Sequence, residues 1–173
     1  MSTGKQSRDA EFAEYVASRS GWLRKVAFLL CSDWHRADDL VQETITKLYT
    51  NWHRAGQAAN RDGYARTVLV NTFLAEQRSP WRRRTAAIAL EAVEGGVVVE
   101  PDIAATMDLQ QALTGLPPRQ RATVVLRYYC DLTVEQTADA LGCSSGNVKS
   151  QTSRGLSALR RSLGVGRLGG VEA

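Results

Sequence analysis

Between Asp139 and Glu172 the chain has no acidic residue, yet it carries Lys149, Arg154, Arg160, Arg161 and Arg167 there. A helix turns about 100° per residue. On one beginning near Ser145, the residues Asn147, Ser150, Ser153, Arg154, Ser157 and Arg161 share a sector, with Lys149 and Arg160 at its margin. The opposite sector holds Val148, Thr152, Leu156, Leu159 and Leu163 and is expected to be buried. Small hydroxyls allow close approach to a groove floor, Arg154 has the reach for a guanine edge, and Asn147 suits an adenine edge. Lys149, Arg160 and Arg161 are better placed for phosphates, which fix register. A solvated basic face is the other reading of such a helix. What argues against it is the segment before: Thr133 as a cap with Glu135 and Gln136 in the first turn, then Val134, Ala138 and Leu141 inward, then a tight turn at Gly142. Short helix, turn and longer basic helix make a helix-turn-helix that enters a DNA groove.

Two further constellations lie upstream. Asp39, Gln42, Glu43, Thr46 and Lys47 fall on the polar side of a helix whose other side carries Leu40, Val41, Thr44, Ile45, Leu48, Tyr49 and Trp52. That acidic side suits a protein partner better than DNA; a plain solvated face is the alternative. Arg66, Asn71, Arg78 and Arg82 to Arg84 combine with Tyr64 and Trp81. Cations for phosphates beside aromatic and amide groups for unstacked bases can grip single-stranded DNA. The alternative is that both aromatics pack in a core.

The elements that must hold these residues are helices. Phe12, Val16, Leu23, Val26, Ala27 and Leu30 recur at helical spacing over residues 9–31. Asp38 is a plausible N-cap for the next helix. A loop is expected over 55–63, then a helix from about Tyr64 to Arg78 with Val68, Leu69, Thr72 and Phe73 inward, stopped at Ser79-Pro80. Residues 85–104, with Gly95-Gly96, Val97 to Val99 and Pro101, read as a linker; the valines could instead form a short strand. Helices follow at about Met107–Leu113 and Arg119–Tyr129, the latter with Ala122, Val125, Leu126 and Tyr129 inward. Beyond Leu163 the chain is too Gly-rich to hold a helix well, so 164–173 reads as a flexible tail. The expected fold is all-α: two small helical domains, 8–84 and 105–163, joined by the acidic linker, the second a helix-turn-helix.

The charge distribution fits this division. Of a net +4 over 173 residues, residues 1–84 carry +5, residues 85–104 carry −4 and residues 105–173 carry +3. With 43% hydrophobic and 23% charged residues the chain is globular. No apolar run approaches the ~20 residues of a membrane span, and Met1 to Asp9 lack the apolar core of a signal peptide. Cys31, Cys130 and Cys143 form no CxxC pair, which fits reduced thiols in a cytoplasmic protein. Cys31 and His35 could share a metal, but two ligands fall short of the usual four, so no metal or cofactor is expected. His35 and His53 have no convergent nucleophile or phosphate loop beside them, so no enzyme activity is expected either.

In order and spacing, four motifs resemble an extracytoplasmic-function sigma factor of bacterial RNA polymerase: residues 37–44 (ADDLVQET), 64–71 (YARTVLVN), 116–121 (LPPRQR) and Thr133 to Leu159. The resemblance spans roughly residues 10–163, and the Trp content, Gly-rich tail and Arg82 to Arg84 look like the actinobacterial members. It implies that Asp39, Gln42, Glu43 and Lys47 dock on the clamp helices of the largest polymerase subunit, with a second contact to the flap of the second-largest. It implies that the 55–63 loop and the helix after it, with Arg66, Asn71, Arg78, Trp81 and Arg82, capture a flipped base of the minus-10 element. Asn147, Lys149, Ser150, Ser153, Arg154, Ser157 and Arg161 would read the minus-35 duplex, and the acidic linker would thread toward the polymerase cleft. An anti-sigma protein is implied as a further partner. One departure is Ala75, where family members often carry an acid; here Glu76 stands next to it. The runner-up is an autonomous dimeric helix-turn-helix regulator, which would bind a paired duplex site without polymerase.

Overall fold

In a computed structural model of the chain, residues 2–58, 60–79 and 101–164 are described, with side chains from residue 107 in the last segment. All regular structure among them is helical. The chain packs as two compact units, residues 1–72 and 73–173, the division falling within the fourth helix.

In the first unit, α1 (Ser2–Cys31) buries Leu23, Val26, Ala27 and Leu30, one stripe at helical spacing. It ends where Ser32 takes a left-handed φ of 56°. The next residue, Asp33, caps α2 (Trp34–Thr50), its carboxylate accepting from the backbone N–H of His35 at 2.7 Å and Arg36 at 3.2 Å. The expected cap, Asp38, lies inside the helix instead. The reversal at Ser32 brings the chain into helical geometry early, and Asp33 is the first carboxylate to meet free N–H groups. Asp38 pairs with Arg24 of α1 at 2.5 Å. α2 buries Ala37, Leu40, Val41, Thr44 and Leu48 and packs along α1; Tyr49 stays exposed.

The expected loop at 55–63 is partly helical. α3 (Trp52–Gln57) forms because Trp52 is buried, edge-on to Phe12 and tilted against Tyr15 of α1. α4 (Arg61–Arg78) starts three residues before the expected Tyr64. Asn60 accepts from the Gly63 N–H at 3.0 Å, and Asp62 is tied to α1 by Tyr15 Oη at 2.9 Å and Arg19 at 3.0 Å. The buried residues are Ala65, Leu69, Val70, Thr72, Phe73 and Leu74; Val68 is only half-buried.

In the second unit, α5 (Pro101–Thr114) begins six residues before the expected Met107, so 101–104 of the expected linker are helical. Its proline at the first position suits a helix start. The remaining linker residues, Val97 to Val99 included, lie outside the described residues. α6 (Pro118–Val124) passes into a π-helical turn, Val125–Tyr129, closed by the Cys130 N–H on the Val125 carbonyl at 3.0 Å. The wider turn changes the phase of the helix. Tyr129, expected inside, is therefore exposed, as is Tyr128.

Arg121 holds this corner together. It is buried, and it donates to the carbonyls of Leu113 at 2.8 Å, Thr114 at 3.1 Å and Leu116 at 2.9 Å. Those are carbonyls at and just past the end of α5, where the intrahelical ladder runs out; that of Leu113 also accepts from the Leu116 N–H at 3.1 Å. No helix among the described residues is long and apolar enough to cross a membrane.

Candidate nucleic-acid interface

The helix-turn-helix is built as its residues dictate. Thr133 and Gln136 form a reciprocal capping box at the start of α7 (Val134–Leu141), with contacts of 3.1 and 2.9 Å. Gly142 ends it at φ 63°, a left-handed turn that costs glycine little. Ser144 caps α8 (Ser145–Leu163) through the Asn147 N–H at 3.1 Å, and Gly164 closes that helix at φ 68°. Arg119 also donates to the Leu141 carbonyl at 3.1 Å, bracing the turn from α6.

Val148 and Leu159 are buried on the inner side of α8, and Thr152 and Leu156 are half-buried. Leu163, expected with them, is 38% exposed; it is the last helical residue. The inner side holds one position that the apolar pattern did not mark. Gly155 is buried, and a Cβ there would stand 2.7 Å from Val124 Cγ2 of α6.

The outer side gathers the expected residues. Asn147, Lys149, Ser150, Ser153, Arg154, Ser157, Arg160 and Arg161 are all exposed. The four ion pairs found among the described residues lie within residues 1–72, and none engages a cation of α8. A basic face free of internal partners keeps its charge for a polyanion. Arg167 lies outside the described residues.

On α2, Asp39, Gln42 and Lys47 are exposed and Glu43 is half-buried. The four share a sector of about 140°. Lys47 reaches Glu43 at 3.4 Å and donates to Thr72 Oγ1 of α4 at 3.0 Å, linking the two helices. Nothing in the residue pattern announces that second contact.

On α4, Asn71 and Arg78 are exposed, and their spacing of seven puts them on one face. Arg78 donates to the Leu74 carbonyl at 3.4 Å. Arg66 is not brought to that face; its guanidinium lies over Trp22 of α1 at 5.6 Å. Tyr64 is half-buried. Trp81 and Arg82 lie outside the described residues. Cys31 is buried while His35 is exposed, and among the described residues no group of three or more potential ligands could hold a metal.

Two helical units, one holding a helix-turn-helix whose basic outer face meets no ion pair among the described residues, make a DNA-binding protein. Comparison with known families places it further. Residues 15–83 match "Sigma-70 region 2" and residues 106–159 match "Sigma-70, region 4". An RNA polymerase sigma-E factor of Streptomyces avermitilis is 35% identical, covering 88% of this chain and 85% of its own. The ECF RNA polymerase sigma factor SigE of Mycolicibacterium smegmatis is 30% identical over 91% of this chain and 63% of its own. In fold, the chain is similar to the sigma factor RpoE of Bartonella quintana, solved in complex with the anti-sigma factor NepR. The TM-score is 0.69 and identity 27%, covering 90% of this chain and 98% of that one. The chain belongs to the extracytoplasmic-function sigma factors of bacterial RNA polymerase. It is an alternative sigma factor that directs the polymerase to promoters. An autonomous regulator, the runner-up from sequence, is set aside by the two region matches in order.

Proposed function

We propose a division of labour in which residues 105–163 select the minus-35 duplex and residues 8–84 dock on the polymerase and open the minus-10 region. In this reading α8 lies in the major groove with Arg154 and Asn147 toward base edges. Ser150, Ser153 and Ser157 permit close approach, and Lys149 and Arg161 hold phosphates. The observation that carries it is the outer face of α8: exposed throughout, basic, and without an ion pair among the described residues.

Asp39, Gln42, Glu43 and Lys47 dock on the clamp helices of the largest subunit, with the flap of the second-largest as the site for the other unit. Asn71 and Arg78, with Trp81 and Arg82, capture an unstacked base of the minus-10 element, and Arg66 adds positive charge from the side toward α1. Extracting a base costs a few kcal/mol, which the polymerase-bound state must offset. Residues 85–104 bridge the two parts. Catalysis belongs to the polymerase, and the protein works in the cytoplasm. An anti-sigma partner holds it inactive; the Bartonella relative, similar over nearly all of this chain, was solved with one.

Run-off transcription with purified core polymerase on a genomic promoter library tests the reading. Specific initiation that depends on this chain supports it. Tight binding to duplex sites as a dimer, with no transcription from core polymerase, would overturn it.

A further inference from the structure

Lys47 faces two ways. It stands about 40° around α2 from Glu43, at the edge of the acidic face that borders α4. Its ammonium lies 3.4 Å from the Glu43 carboxylate and 3.0 Å from Thr72 Oγ1. The Thr72 side is built to receive it. Thr72 is 3% exposed, and its hydroxyl gives its one proton to the Val68 carbonyl at 2.7 Å. Its oxygen is left with lone pairs, and an ammonium, with three donors and no acceptor, is suited to them.

The Glu43 side is looser. The side chains of Lys47 and Glu43 are 46% and 35% exposed, and an exposed pair one turn apart on a helix is weak. A partner that binds both Asp39 and Glu43 must bring positive charge, since both are carboxylates. A cation that takes the Glu43 carboxylate ends its hold on Lys47, and the ammonium then belongs to Thr72 alone. Thr72 directly follows Asn71 on α4, where Asn71 is exposed. One ammonium thus has two arrangements, shared or undivided, and it joins the docking helix to the helix that bears Asn71.

We propose that Lys47, beyond lining the docking face, is a positioning residue: docking turns it wholly onto Thr72, and this fixes α4 with Asn71 set for the unpaired strand. The proposal rests on the docking and strand-capturing roles given above and adds the link between them. A link of this kind is mutual. The polymerase tightens the chain on the strand, and the strand tightens the chain on the polymerase by the same factor. A residue that only stabilised the fold would shift neither affinity in response to the other ligand.

The test uses the full-length chain, dye-labelled, titrated with purified core polymerase without and with a saturating single-stranded oligonucleotide. The oligonucleotide is the non-template minus-10 strand of a promoter found by the run-off experiment, and a scrambled strand is the control. In the parent the specific strand should tighten polymerase binding about fivefold. Thr72→Val keeps the shape and removes the oxygen; it should bind polymerase alone as the parent does, yet gain nothing from the strand. Thr72→Ser keeps the hydroxyl and should keep the gain. Lys47→Met should lose the gain, and adding Thr72→Val to it should remove no further coupling. No gain in the parent, or the parent's full gain in Thr72→Val, would overturn the proposal while leaving the two underlying roles in place. Two other results would overturn it through the roles it rests on. One is Asp39→Lys with Glu43→Lys binding polymerase as tightly as the parent, which removes the docking role. The other is Asn71→Ala holding the strand as well as the parent, which removes the strand-capturing role.

Discussion

Gly155 of α8 lies against Val124 of α6 so closely that a methyl group on Gly155 would stand 2.7 Å from Val124 Cγ2. A glycine inside a helix costs about 1 kcal/mol relative to alanine, so closeness is what it gives in return. Gly155→Ala is expected to lose about 1–2 kcal/mol net, because overpacking outweighs the helical gain. Val124→Ala in the same chain should recover part of that loss. Chemical denaturation of the parent, both single variants and the double variant measures this directly; additive losses would show that the two side chains do not meet.

Arg121 fastens three carbonyls around the end of α5. Replacing it by methionine fills the space but removes the guanidinium that those carbonyls share. The expected loss is about 3 kcal/mol or more. Arg121→Lys should recover only part, because one ammonium cannot reproduce the fork of a guanidinium. A thermal melt of each variant decides between this role and simple packing, under which methionine and lysine would rank in the opposite order.

Arg154→Ala should weaken minus-35 selection by ~1–3 kcal/mol and leave binding to core polymerase unchanged. Asp39→Lys with Glu43→Lys should do the reverse: polymerase binding falls while duplex contacts persist. Pull-down with core polymerase and competition transcription between promoter variants read the two effects separately.

Tyr15 links the stability of the first unit to alkaline pH. Burial first, then its hydrogen bond to Asp62 at 2.9 Å and that carboxylate's charge, push its phenol well above the ordinary tyrosine range. The unfolded chain ionises at the ordinary value of about 10, so stability from this group is full below that pH. It is lost as pH rises toward the folded value. Tyr15→Phe should be less stable than the parent at neutral pH and flatter above pH about 10. Circular-dichroism melts across that window check the slope.

Asp33 and Asp38 offer a comparison between a cap and a surface pair. Asp33→Ala should cost about 1 kcal/mol, the usual loss of an N-cap. Asp38→Ala removes only the exposed partner of Arg24 and should cost less. The Arg24 hydrogen bond holds the Asp38 carboxyl below its usual range, so its contribution persists above that range and fades as the pH falls. Urea midpoints at neutral and acid pH distinguish the two.

The helix-turn-helix was legible because its rules are local. Thr133, Gly142 and a period of 3.6 in α8 each act within a few residues, and each stands where the pattern put it. What escaped depended on distant partners or on backbone phase. Asp33 outranked Asp38 as a cap because the chain reverses at Ser32, a left-handed residue without a glycine to announce it. α3 exists because Trp52 finds Phe12 and Tyr15 some forty residues earlier. Tyr129 turned outward because a π-turn altered the count. In the candidate interface the α8 face was readable as a stripe, whereas the placing of Arg66 over Trp22, away from Asn71, required α1.

The outward side chains of α8 form no ion pair among the described residues, while its inward side is wedged around Gly155 and Val124. On the minus-35 reading proposed above, specificity and architecture lie on opposite sides of one rod. Such a protein can drift toward new target sequences, one outward substitution at a time, while its scaffold stays untouched.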